Sequence, residues 1–191
     1  MSWRRVLLAA ALLLLVAGCG VSAPPNNTLP VDTPALRALK ASAHIQACPR
    51  TTAPPTGELP KAVLPCLGGG ASVAMASLRG PMLVNVWAQN CGPCRTEMPN
   101  VQAFAKKYAG RVAVLGVDYY QDQPDLALGF AKAVGATYPM VADYTPVIQL
   151  GGLPTTIFLD AEGKIVYTHP GPFGTESELE QLVAQHLGVK P

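Results

Sequence analysis

Apolar positions along this chain fall into continuous runs and helically spaced stripes, and their succession predicts the fold. Met82 to Trp87 and Arg111 to Tyr119 are apolar almost throughout, as expected of strands buried on both faces. Between them, Met98, Val101, Phe104 and Ala105 share one side of a helix that begins after Cys91, with Arg95, Lys106 and Lys107 on the other. Pro99 lies inside that helix and predicts a kink, and Gly110 ends it. Pro124 to Ala133 repeats the helical pattern through Leu126, Leu128, Phe130 and Ala131, with Gly135 as the stop and a short strand at Tyr138 to Ala142. A brief turn or helix near Thr145 to Leu150 follows. Thr155 to Asp160 and Lys164 to Thr168 then read as a hairpin joined by Ala161-Glu162-Gly163. Thr175-Glu176-Ser177-Glu178 fits a capping box that opens a helix through Leu179, Leu182, Val183 and Leu187. Crossover helices imply parallel strands and the late hairpin adds antiparallel ones, so the pattern predicts an α/β fold on a mixed sheet.

Upstream the signal weakens. Val63 to Leu67 and Ala71 to Met75 read as short strands around Gly68-Gly69-Gly70, and Cys48 to Pro60 is loop-like. Thr33-Pro34 starts a short helix over Ala35 to Ala47, after a Pro-, Asn- and Thr-rich tether. At the N-terminus, Arg4 and Arg5 precede an apolar run, Val6 to Ala17, too short to span a bilayer comfortably and suited to a signal-peptide core. It ends Val16-Ala17-Gly18-Cys19, which resembles the bacterial lipobox. The expected organisation is therefore a lipoprotein-type signal peptide over 1–18, a tether with a short helix over 19–47, and a folded domain over 48–191. Lipid on Cys19 would hold the chain at the extracytoplasmic face of the cell membrane, where disulfides persist.

Charge removes several functions from contention. Over 191 residues the formal charge is +2, but setting aside Arg4 and Arg5 takes Lys plus Arg from 14 to 12 against 12 Asp plus Glu. A chain this close to neutral, with no basic run, has no electrostatic footprint for nucleic acid. Of the five cysteines, Cys19 would carry lipid and Cys91 pairs with Cys94 by spacing. Cys48 and Cys66 are left as a structural pair, although four cysteines by themselves allow three pairings.

Cys91-Gly92-Pro93-Cys94, between a buried strand and a helix start, is the chemical centre. Free N–H groups and the positive dipole end of a helix favour the thiolate of the first cysteine. Zinc would need a second knuckle or clustered histidines, and His44, His169 and His186 are scattered, so no metal site is expected. Haem attachment would need a histidine where Arg95 stands. A purely structural bond would add little stability, because so short a ring hardly constrains the unfolded chain.

Trp87-Ala88-Gln89-Asn90-Cys91-Gly92-Pro93-Cys94, Pro99 and the later Gly152-Leu153-Pro154-Thr155 resemble the thioredoxin superfamily. The lipobox, the extra segment around Gln121 to Asp143, and Glu97 narrow this to TlpA/ResA-like exported thiol–disulfide oxidoreductases. The resemblance covers roughly Pro60 to Pro191 and implies a thioredoxin-like fold with an N-terminal extension and an inserted helix. It implies that Cys91 attacks and Cys94 resolves, that Pro154 is a cis-proline facing them, and that Leu153 offers backbone to a substrate. Trp87 would pack under the substrate-binding loop, in which Gly92 and Pro93 allow a tight turn while limiting its freedom. Thioredoxin carries a buried Asp six residues before its first cysteine; here Asn85 stands there and cannot ionise. Glu97 matches the carboxylate that TlpA/ResA-like proteins keep beside the cysteines, which would move protons; by its place alone it equally fits a first-turn Glu that complements the helix dipole.

The implied activity is exchange with thiols and disulfides of exported proteins, without a cofactor beyond the cysteine pair. A reductant is favoured, for example in cytochrome c maturation, recycled by a membrane redox partner, with the chain a monomer. An oxidase would use the same residues. A peroxidase would need a Pro-x-x-x-Thr/Ser-x-x-Cys setting that Cys91 lacks, and a copper carrier a Cys-x-x-x-Cys spacing. A binding lipoprotein with an idle disulfide is the remaining alternative.

Overall fold

In the computed structural model, which describes residues 30–120 and 123–190, β3 (Met82–Trp87) is the central strand of a five-stranded sheet ordered β5-β4-β3-β6-β7. β4 (Ala113–Tyr119) runs parallel to β3, and β5 (Met140–Asp143) parallel to β4. β6 (Thr155–Leu159) is antiparallel to β3, and β7 (Ile165–Pro170) antiparallel to β6. The sheet is mixed, as the order of elements predicts. The signal segment, Cys19 and the tether up to residue 29 lie outside the described residues. Among the described residues no helix is long and apolar enough to cross a membrane.

Two crossovers step the same way across the sheet, β3 to β4 through α2 (Gly92–Lys107) and β4 to β5 through α3 (Pro124–Val134). Connections of constant hand stepping in one direction put both helices on the same face. Accordingly Met98, Val101 and Phe104 of α2 share one core with Ala127, Leu128 and Ala131 of α3, over Leu83 and Trp87 of β3. α4 (Glu176–Leu187) joins this core through Leu179 and Val183, and α1 (Pro34–Ser42) through Leu36. Alternation along β3 sends Met82, Val84 and Val86 to the opposite face. There the cover is mostly the segment before β3, through Leu59, Leu64, Val73, Met75 and Leu78, with Ile148 from the loop after β5.

Local rules set the element ends. Thr33, Cys91 and Thr175 are the N-caps of α1, α2 and α4, each accepting a backbone N–H on its side chain. In the predicted capping box Thr175 accepts from Glu178, but the Glu178 carboxylate turns to the N–H of Gly174 rather than to Thr175. α2 runs through Pro99, and α1 ends before His44, whose positive φ departs from the helix predicted as far as Ala47.

The early strands are shorter than the sequence pattern predicts. β1 (Val63–Leu64) stops at Pro65, which has no N–H for a ladder, and pairs with β2 (Val73–Ala74); Met75–Ser77 turn as a 3-10 helix. The rest of the expected first strand lies along β5 instead. Ala142 N donates to Pro65 O (3.0 Å), Leu67 N to Met140 O (2.9 Å), and Cys66 bridges Val141. That pairing covers an edge otherwise open to another chain. No helix forms over 145–150; the Asp143 carboxylate accepts from Val147 N and Ile148 N and shapes a turn.

Candidate active site

β3 delivers the chain to the first cysteine. After Trp87 the backbone turns, Cys91 N donating to Ala88 O (3.1 Å), and Cys91 caps α2 with its sulfur 3.2 Å from the N–H of Cys94. A sulfur at an N-cap sits at the positive end of the helix, a setting that favours negative charge on it. Cys91 is half-buried and Cys94 fully buried, and the two are joined as a disulfide. Gly92 and Pro93 between them are exposed, with the proline in the first turn, where its missing N–H leaves no helical bond unmade.

One turn beyond Cys94, on the same side of α2, Glu97 is 1 % exposed. Its Oε1 accepts from Asn85 Nδ2 (2.8 Å) and its Oε2 from the backbone N–H of Phe173 (3.2 Å). Burial pushes its carboxyl up to about 7, and those two bonds only partly oppose the shift. Asn85 Nδ2 also donates to Thr156 Oγ1 (3.0 Å). Sheet register places Asn85, Thr156 and His169 side by side across β3, β6 and β7, and the His169 ring stacks on Phe173 at 4.4 Å. Burial pushes the His169 imidazole down, with Glu178 acting against it. A polar row therefore crosses the helix-side core from the Glu97 carboxyl to a half-buried histidine at the sheet edge.

Around Asn85 the wall is tight. Its neighbour on β4 is Gly116, where a Cβ would meet Trp87 Nε1 and Tyr138 Cε2, each at 3.1 Å. Asn85 Oδ1, Trp87 Nε1 and Tyr138 OH are buried without a hydrogen-bond partner among the described residues. Burial, and then the charge of Glu97, push the Tyr138 phenol upward.

Pro154 stands at the start of β6, and the Leu153–Pro154 peptide is cis. The register Val86 to Thr155 sets Pro154 at the end of the sheet where β3 turns toward Cys91. A surface groove lined by Gln149, Leu150, Gly152, Leu153, Pro154 and Pro170 adjoins it, with Leu153 half-exposed. Trp87 is fully buried, so its ring supports the loop from beneath and cannot face a substrate. Behind it the Phe130 ring lies 5.8 Å away, and the Arg95 guanidinium sits 4.3 Å over Phe130 while donating to Gln89 O (3.1 Å). The inserted helix thus braces the active-site turn.

Cys48 and Cys66 form the second disulfide, on the opposite face of the sheet from Cys94. Among the described residues no group of three or more His, Cys, Asp or Glu is arranged to hold a metal ion. Sequence reading missed Thr156, His169, Phe130 and the Phe173 N–H. Each meets the site through sheet register or helix packing, which no local spacing encodes.

The Redoxin family pattern matches residues 54–183. The chain is 31 % identical over 129 residues to the thioredoxin-like protein YneN of Bacillus subtilis, covering 65 % of this chain and 75 % of that one. It is 31 % identical over 121 residues to the thiol-disulfide oxidoreductase ResA of Halalkalibacterium halodurans, covering 60 % and 67 %. In eight such curated relatives the match spans from 59 % to 75 % of the relative's length. A solved thioredoxin-family thiol:disulfide interchange protein from Chlorobium tepidum superposes with a TM-score of 0.57 at 26 % identity, covering 74 % of this chain and all of that one (100 %).

Proposed function

This chain belongs to the Redoxin family, and on that footing we propose that it is a ResA-type thiol–disulfide oxidoreductase, anchored outside the membrane, that reduces exported proteins through Cys91 and Cys94. The observation that carries the reading is a half-buried sulfur at a helix N-cap beside a buried partner, with the Glu97 carboxyl one turn further on.

The steps follow from that geometry. The Cys91 thiolate attacks one sulfur of a substrate disulfide, and the bond's electron pair leaves with the other as a thiolate, which takes up a proton. Cys94 gives up its own proton and attacks Cys91 Sγ in the mixed disulfide, releasing the second substrate thiolate and closing the Cys91–Cys94 bond. Two electrons pass to the substrate. Glu97, poised at about 7, accepts the Cys94 proton and passes it on. The groove beside Leu153 and Pro154 receives the extended segment around the substrate disulfide.

Lipid on Cys19 would fix the site at the outer face of the membrane, beside exported targets such as apocytochrome c thiols and beside a membrane partner that returns electrons. The Gly-Pro pair between the cysteines favours the reducing direction. With Cys94→Ser, exported proteins should be trapped on Cys91 as mixed disulfides released by dithiothreitol. A chain that traps nothing, and reduces insulin no faster than its Cys91→Ser variant, would refute the proposal.

A further inference from the structure

The second disulfide has a neighbour that the first lacks. Lys40 on α1 is 8 % exposed, and its Nζ lies 2.9 Å from Cys66 Sγ and 2.8 Å from Gly69 O. Gly69 has φ +87°, which lets the Gly68-Gly70 turn bring that carbonyl onto the ammonium. Burial pushes the Lys40 pKa down, and the Asp32 carboxylate, itself ion-paired to Arg37, acts against this. Its acceptors are thus a carbonyl and a neutral disulfide sulfur, a poor setting for a buried cation. Reduction would supply the missing anion within hydrogen-bond distance. Both residues are buried, Cys48 at 6 % exposed and Cys66 at 1 %, and the Cys48 sulfur lies 3.1 Å from Met140 O rather than beside the ammonium.

We propose that Cys48–Cys66 is a second thiol–disulfide exchange site, in which Lys40 makes Cys66 the leaving thiolate and Cys48 the sulfur attacked by an external dithiol. One thiolate of the dithiol attacks Cys48 Sγ, forming a mixed disulfide, and the electron pair of the broken bond goes to Cys66, which pairs with Lys40. The second thiol of the reductant loses its proton and closes the reductant's own disulfide. Cys48 is released and takes up one proton. The dithiol has then given two electrons and one proton to the protein, and the other proton to solvent. Because the bond ties residue 48 to the segment paired along β5, opening it loosens the cover of that edge.

The test uses the full chain carrying Cys91→Ser and Cys94→Ser, equilibrated with reduced and oxidised dithiothreitol between pH 6 and 8. The state of Cys48 and Cys66 is read by alkylation and peptide mass. Release of one proton per reduction makes the equilibrium constant rise about tenfold per pH unit. Lys40→Met should lower the constant at pH 7 by about tenfold or more, which is about 30 mV for a two-electron couple, and flatten its pH dependence. Lys40→Arg should restore the slope. A flat pH dependence with Lys40 present, or a Lys40→Met constant equal to the parent's, would overturn the proposal. So would a bond that resists reduction until the chain unfolds. If Lys40→Met does not fold, the slope with Lys40 present decides alone. Since the first cysteine pair is absent throughout, failure here leaves the Cys91–Cys94 reading untouched.

Discussion

Asn85 holds Glu97: the amide Nδ2 lies 2.8 Å from the carboxyl Oε1, in a core where Glu97 is 1 % exposed. A neutral donor, where thioredoxin places an acid, moves the ionisable group from the strand onto the helix that carries the cysteines. The pH behaviour of both stability and turnover depends on this pair.

Folding should become less favourable as pH rises through the Glu97 titration. The carboxyl takes up its proton at about 7 when folded and at the ordinary glutamate value of 4.5 when unfolded. The folded state therefore binds more protons between those values, and stability falls with increasing pH across that window. The loss approaches about 3 kcal/mol for this group. Urea unfolding at pH 4.5 and pH 8 should show it in the parent and not in Glu97→Gln.

Asn85→Ala removes a bond that lowers the Glu97 pKa. The carboxyl should then titrate above 7, and the pH profile of insulin reduction should shift to the alkaline side. Leaving Oε1 unpaired, with Oε2 still held by the Phe173 N–H, should also cost about 1–3 kcal/mol in urea unfolding.

Phe130→Ala should destabilise the fold by about 3–5 kcal/mol, since it empties a buried ring site against Trp87. Arg95 loses the ring beneath its guanidinium in the same variant. The change in Trp87 packing should appear as a shift in near-ultraviolet circular dichroism.

Cys48→Ala with Cys66→Ala should cost about 3 kcal/mol, the loop entropy of a closure over 18 residues. Insulin reduction by the folded fraction should persist, because this bond and Cys94 lie on opposite faces of the sheet.

The central strand, the helix after Cys91 and the late hairpin were legible because each carries its own period and its own punctuation. The attacking and resolving order of Cys91 and Cys94 came from the family resemblance, and in the fold Cys91 is half-buried at the N-cap while Cys94 is fully buried. The break after β1 was not legible, because residues 65–67 pair along β5, about 75 residues downstream by the Cys66 to Val141 bridge. Lys40 gave no signal either. It reads as an ordinary exposed helix lysine until the fold brings Cys66, 26 positions away, onto its ammonium. Thr156 and His169 became part of the site only through register with Asn85.

The proposed function stands or falls on Cys91 and Cys94 donating electrons. Their reduction potential decides this, measured in the chain carrying Cys48→Ala and Cys66→Ala by equilibration with glutathione and dithiothreitol couples. We expect a reducing value, near the roughly −270 mV of thioredoxin. A value near the roughly −120 mV of a strong disulfide oxidant would show that electrons run the other way.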